Sequence, residues 1–194
     1  DLPSLTDLDP DKDLVLMAEV MSEVTYVKHH KRKIAFLFSA MRHFAKSLGD
    51  DGIAVRYRRL DDADNAGSLA GEVAAAIAAF GPDRIVITAP GEYRLANEMA
   101  GWQARFGVAV DIRADTRFLC SLDDFAEWAE GRKSLRMEFF YRDLRRRYQV
   151  LMEGDEPIGG KWNYDADNRQ PPKAGLAVPS PSSFAPDVIT AEVM

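Results

Sequence analysis

The sequence predicts an α/β protein with a doubly wound, mostly parallel sheet, followed by a helical and extended linker region. Three observations predict it. Short apolar runs of strand character alternate four times with segments of helical period, and the connections between them are short and polar. Beyond about residue 118 the alternation stops, giving way to a basic, aromatic helix and then a tail dense in Gly, Pro and Ser. Repeated strand–helix–strand order favours parallel pairing, because each helix returns the chain so that the next strand runs the same way. The expected boundaries are 1–118 for the α/β domain, 119–153 for a helical extension and 154–194 for a linker.

The elements follow in order. "DLVLMAEV" (13–20) is a short apolar run suited to a buried strand. In "EVMSEVTYVKHHKRKIAFLFSAMRHFA" (19–45) and just beyond it, Ile34, Leu37, Phe38, Met41, Phe44, Ala45 and Leu48 recur at spacings of three and four, one face of a helix. "GIAVRYRRL" (52–60) alternates as a strand does, and "DDADNAGS" is a polar loop. A helix over 69–80 carries Leu69, Val73, Ile77 and Phe80, and "GPD" turns the chain into the strand "RIVITAP" (84–90). One further helix bears Met99, Trp102 and Phe106, and "VAVDIRAD" (108–115) is the next strand. Ser121 heads a short helix ending at Gly131, and "SLRMEFFYRDLRRRYQVLM" (134–152) reads as one long basic helix. The remainder has no usable period and reads as a linker.

Composition bounds the function. The 194 residues suffice for one sizeable core. Against 31 Asp and Glu there are 25 Lys and Arg, a net charge of −6. That disfavours nucleic-acid binding by the whole surface but leaves room for a local basic face. One cysteine, Cys120, excludes a disulfide framework or a thiolate metal cage within the chain and fits a reducing, cytoplasmic compartment. No apolar run approaches the roughly 18 residues of a membrane span, so no membrane association is expected.

All three histidines, His29, His30 and His43, lie in or beside the second predicted element. Adjacent histidines point about 100° apart on a helix, so they do not form a metal site there. The basic run at Lys28 and Lys31–Lys33 sits at a helix start, the unfavourable end for cations, and calls for carboxylate partners such as Glu19 or Glu23. Parallel sheets bind ligands in the loops at the carboxyl ends of their strands. Those loops here offer Glu23, Tyr26, Asp61, Asp62, Asn65 and Glu92. Neither G-x-G-x-x-G nor G-x-x-x-x-G-K-[ST] accompanies them, which removes the usual phosphate cradle. Ionised carboxylates only accept hydrogen bonds, so such a pocket suits a neutral ligand rich in hydroxyls and ring N–H groups. No catalytic acid pair, nucleophile or triad stands out.

Five segments carry a resemblance: "EVMSEVTYVKHHKRKIAFLFSAMRHFA", "RLDDADNAGS", "TAPGEYR", "GRKSLRMEFFYRDLRRR" and "GGKWNYDADNRQP". In that order the chain resembles the N-terminal domain of the bacterial photolyase-related proteins, the iron–sulfur branch of the photolyase/cryptochrome family. The resemblance implies a Rossmann-like antenna domain of a (6-4) DNA photolyase or of a cryptochrome-type blue-light photoreceptor. It further implies 6,7-dimethyl-8-ribityllumazine as the chromophore here. FAD and a four-iron cluster would lie in a C-terminal helical domain of the parent, which repairs damaged DNA; this stretch alone would not be catalytic. The family's opening strand, with its Gly-Asp-Gln-Leu turn, is not among these residues. Carried over, the antenna pocket falls at Ala18, Glu19, Glu23, Tyr26, Leu37 and Glu92. A small-ligand-binding module without light function is the competing reading. In "GGKWNYDADNRQPPK", Trp162 is expected to anchor the segment, leaving Arg169 and Lys173 as candidate phosphate contacts.

Overall fold

The computed structural model describes residues 2–169 and 171–194. It is a mixed helix and strand structure in two compact units, Asp1–Ala114 with Ser183–Met194, and Asp115–Ser182. Among the described residues no helix is long and apolar enough to cross a membrane.

In the first unit the chain runs β1 (Val15–Ala18), α1 (Met21–Thr25), α2 (Lys31–Asp50), β2 (Val55–Arg58), α3 (Leu69–Phe80), β3 (Arg84–Thr88), α4 (Tyr93–Ala100), α5 (Trp102–Phe106) and β4 (Ala109–Arg113). β1 pairs in parallel with β2, Val15 opposite Val55, and β3 pairs in parallel with β4, Arg84 opposite Ala109. Each pair is a strand–helix–strand unit, the crossover that parallel strands require. The predicted single sheet is resolved as two parallel pairs: among the described residues β1 and β3 share no ladder, and each keeps one free edge. Periodicity identifies a strand but says nothing about which strand lies beside it.

Local chemistry sets the element ends. The His30 ring caps α2, its Nδ1 accepting from the Arg32 amide at 3.1 Å. The Ser68 hydroxyl accepts from the Gly71 amide at 3.1 Å to open α3, and Gly81 closes it with φ +56°. The single helix expected over Met99–Phe106 is broken into α4 and α5 at Gly101, whose amide donates back to the Glu98 carbonyl. The four strands are half-buried rather than enclosed, and the buried apolar side chains among the described residues include Val20, Leu48, Ala70 and Trp102. The N-terminal turn Pro3–Leu5 is held at the ends of β3 and β4. There Ser4 N donates to Thr88 Oγ1 at 3.1 Å, and Arg113 bonds both the Pro3 carbonyl and Asp7.

In the second unit, α6 (Leu122–Ala129) opens with a reciprocal capping box between Ser121 and Asp124. α7 (Met137–Tyr148) is shorter than the helix expected over 134–152, because Gln149 turns to φ +53° and Leu151 to φ +54°. Arg145 explains the stop. Its guanidinium donates to the carbonyls of Val150 and Leu151, tying the reversed chain against the last turn. A two-residue hairpin, β5 (Met152–Glu153) with β6 (Glu156–Pro157), and the turn of helix α8 (Asp165–Asn168) follow. The segment expected as a linker ends in a helix, α9 (Val188–Val193), which belongs to the first unit and packs on α2.

Candidate functional site

Three of the predicted residues meet at the carboxyl ends of β1 and β3. Glu23 rides on α1, Tyr26 is at its C-terminal end, and Glu92 precedes the first residue of α4 with its carboxylate turned to Arg94 rather than to the helix amides. All three converge on Arg94. The guanidinium bonds Glu23 through Nη1 at 3.1 Å and Nη2 at 2.6 Å, and Glu92 through Nε at 2.9 Å and Nη2 at 3.1 Å. Its carbon lies 4.4 Å from the Tyr26 ring centroid, and Tyr26 meets the His29 ring edge-on at 5.1 Å. The hydrogen bond to Glu23, and then that to Glu92, push the Arg94 pKa up, so the group is a fixed cation. Four of its five N–H hydrogens are committed, leaving one on Nη1. Two carboxylates around one cation leave the cluster with a net negative charge and spare carboxylate lone pairs.

Glu19 lies apart from this cluster. It is 0 % exposed, and its carboxylate accepts from Arg42 Nε at 2.6 Å, Arg42 Nη2 at 3.0 Å, the Tyr57 hydroxyl at 2.7 Å and the Leu60 amide at 3.0 Å. Burial opposes the charged form, but the bonds from Arg42, Tyr57 and Leu60 outweigh it and hold the carboxyl below its usual range. Burial, with Glu19 adding to it, pushes the Tyr57 hydroxyl well up. Every strong acceptor position of Glu19 is thus occupied from within the protein. Asn65 completes the frame, its Nδ2 donating to the Glu19 and Arg59 carbonyls, each at 2.7 Å. Asp62 accepts from the Arg59 amide at 2.8 Å, which makes it a loop holder as well, while Asp61 stays exposed. A cleft of ≈ 340 Å³ nearby is lined by Arg42, Ala45, Tyr57, Arg59 and Asp62, none of which belongs to the Arg94 cluster.

Ala18 ends β1 opposite Arg58, half-buried, and Leu37 stands on α2 45 % exposed. The basic run at the start of α2 does not recruit Glu19 or Glu23: the first pairs with Arg42 and the second with Arg94. Among the described residues Lys28, Lys31, Arg32 and Lys33 form no ion pair, and Lys33 Nζ instead lies 3.3 Å from His29 Nδ1. No cluster of three or more metal-binding side chains occurs among the described residues.

The arginines of α7 are largely neutralised inside their own unit. Arg142 pairs with Glu138, Arg146 with Asp143 at 3.4 Å and Arg147 with Asp124 at 2.8 Å. Trp162 lies under three of them, with the Arg142, Arg145 and Arg146 guanidinium carbons 5.3, 5.3 and 4.5 Å from its ring. Trp162 is therefore an anchor, as its size suggested. Arg169 and Lys173 are exposed and form no ion pair among the described residues.

Sequence reasoning missed Arg94, Arg42 and Tyr57. Arg94 was legible in part: a cation two residues beyond Glu92, at a strand end already crowded with acids, needs a carboxylate partner. Arg42 gave no such signal, because it sits mid-helix and its carboxylate partner lies 23 residues away.

The full length, residues 1–194, matches the family described as deoxyribodipyrimidine photo-lyase-related protein. The chain is 54 % identical over 193 residues to a protein of Agrobacterium fabrum named (6-4) photolyase, covering 100 % of this chain and 38 % of that protein. An uncharacterised protein of Acanthamoeba polyphaga mimivirus is 25 % identical over 171 residues, 84 % of this chain and 85 % of its own.

Proposed function

Because the chain belongs to the deoxyribodipyrimidine photo-lyase-related family, we propose that it is the light-harvesting antenna domain of a (6-4) photolyase-type flavoprotein. The observation that carries this is the convergence of Glu23, Tyr26 and Glu92 on Arg94 at the strand ends. The donor set fits 6,7-dimethyl-8-ribityllumazine. Spare lone pairs on Glu23 and Glu92 accept from ribityl hydroxyls, the remaining Nη1 hydrogen of Arg94 donates to a ring carbonyl, and the Tyr26 ring offers a stacking face. Ala18 and Leu37 would border the ring, and Glu19 would hold the end of β1 from behind. When bound, the lumazine supplies absorption in the near-ultraviolet to blue region, and the protein supplies placement.

In this reading FAD and a four-iron cluster sit in a C-terminal helical domain of the parent, which acts on damaged DNA in the cytoplasm. The finer architecture belongs to the same proposal. The two parallel pairs are halves of one Rossmann-like, doubly wound sheet, joined by a further strand across the free edges of β1 and β3. Residues 1–118 would form that domain, 119–153 its helical extension and 154–194 the connection onward.

Leu37→Trp in the full-length parent tests the site. Leu37 is 45 % exposed on α2, so the larger ring does not overpack a closed core. The variant is expected to lose the antenna band and keep the flavin band. Retention of both bands places the chromophore elsewhere, and a parent with no antenna band at all favours a ligand-binding module without light function.

A further inference from the structure

We infer that α9 is a pH-gated latch, closed on α2 by the protonated ring of His43. The ring sits between two oxygens that can only accept. His43 Nδ1 is 2.7 Å from the Ser39 carbonyl oxygen, and Nε2 is 2.5 Å from Asp187 Oδ2. A neutral imidazole carries one N–H, so either tautomer would set a ring lone pair against an oxygen lone pair. Only the imidazolium donates to both.

Asp187 joins this bond to the helix start. Its Oδ1 accepts from the Thr190 amide at 2.8 Å, so one carboxylate caps α9 and grips His43. The other end of α9 is held differently, by Glu192 on Arg59 at 2.9 Å and on Arg42 at 4.0 Å. The elements packed together here carry few other ionisable groups. α2 itself carries Arg42 and Lys46, the latter bound to Asp50; β2 and its exit, packed on α2, carry Tyr57 and Arg59; the α9 segment carries Asp187, which alone among the described carboxylates touches the ring, and Glu192. Of these side-chain types only imidazole ordinarily changes charge between pH 6 and 9. The His43 side chain is 42 % exposed and that of Asp187 56 %, so protons reach the pair from water.

The sign follows from these contacts. The bond to Asp187, and then that to Ser39, raise the His43 pKa above its ordinary value. A raised basic group stabilises the closed form fully below the unfolded pKa, about 6.5, and that contribution is lost as pH rises through the folded value. The start of α9 is then released while Glu192 still tethers its end.

The test is an NMR titration of this chain from pH 5.5 to 9, following the His43 ring and the α-carbon shifts of residues 188–193. The helical shifts of α9 are expected to weaken with the same midpoint as His43, above 6.5. Asp187→Asn keeps a capping oxygen but removes the charge, and should return the His43 midpoint toward 6.5. His43→Gln should abolish the step in α9. Flat α9 shifts through the His43 titration of the unaltered chain, a midpoint at or below 6.5, or a step that survives in His43→Gln would each overturn the latch. The unaltered chain alone decides the matter if either variant fails to fold.

Discussion

Replacing Glu19 by Gln removes one charge from a fully buried site while keeping side-chain length. Arg42, whose side chain is 11 % exposed, loses its bidentate counter-ion and keeps only the more distant Glu192 at 4.0 Å, and Tyr57 and the Leu60 amide lose a charged acceptor. The new amide nitrogen would also face a donor, because every partner of the carboxylate donates. Breaking a buried pair by removing one partner costs about 3–5 kcal/mol, and the partial access of Arg42 to water argues for the lower end, about 3 kcal/mol. For a unit of this size that corresponds to a fall of roughly 10 °C in Tm. The assay is urea denaturation followed by far-ultraviolet circular dichroism, run as a cycle with Arg42→Met and the double variant. The double variant should be less destabilised than the sum of the singles, because it strands no charge. A Glu19→Gln loss below about 1 kcal/mol, or strict additivity, would refute the reasoning. Glu19 also predicts an acid limb. Its carboxyl is held below the usual range, so its contribution is fully present above the unfolded pKa of about 4.5 and is lost as pH falls through the folded value. Glu23→Gln, at the more exposed Arg94 cluster, is the control and should leave the urea midpoint nearly unchanged.

Trp162→Ala should free the segment beneath the α7 arginines and speed proteolytic cleavage between Lys161 and Arg169; an unchanged cleavage rate would mean that Trp162 carries no anchoring. In the full-length parent, the double variant Arg169→Ala/Lys173→Ala should reduce the salt slope of DNA binding by about 0.9 for each phosphate no longer neutralised. An unchanged slope leaves residues 165–173 as a tether.

Period and turn chemistry carried much of the fold. The helical face of α2, the Ser68 and Gly81 ends of α3 and the four strands were legible because each depends on neighbours within a few residues. The strand-end position of Glu23, Tyr26 and Glu92 was legible for the same reason, once the alternation was read as parallel. The break at Gly101 and the early stop of α7 were not. In α7 the stop is made by Arg145 reaching carbonyls five and six residues ahead, an interaction that leaves no period. Partner choice was beyond the sequence altogether. Glu19 and Glu23 sit four residues apart, yet one is sealed against Arg42 and the other shares Arg94 with Glu92, 69 residues away. Likewise His43 and Asp187 are separated by 144 residues, and nothing local to either marks the other. Backbone periodicity is a property of adjacent residues and survives in a linear text; charge pairing depends on which surfaces the folded chain brings together, and only the tertiary structure decides that.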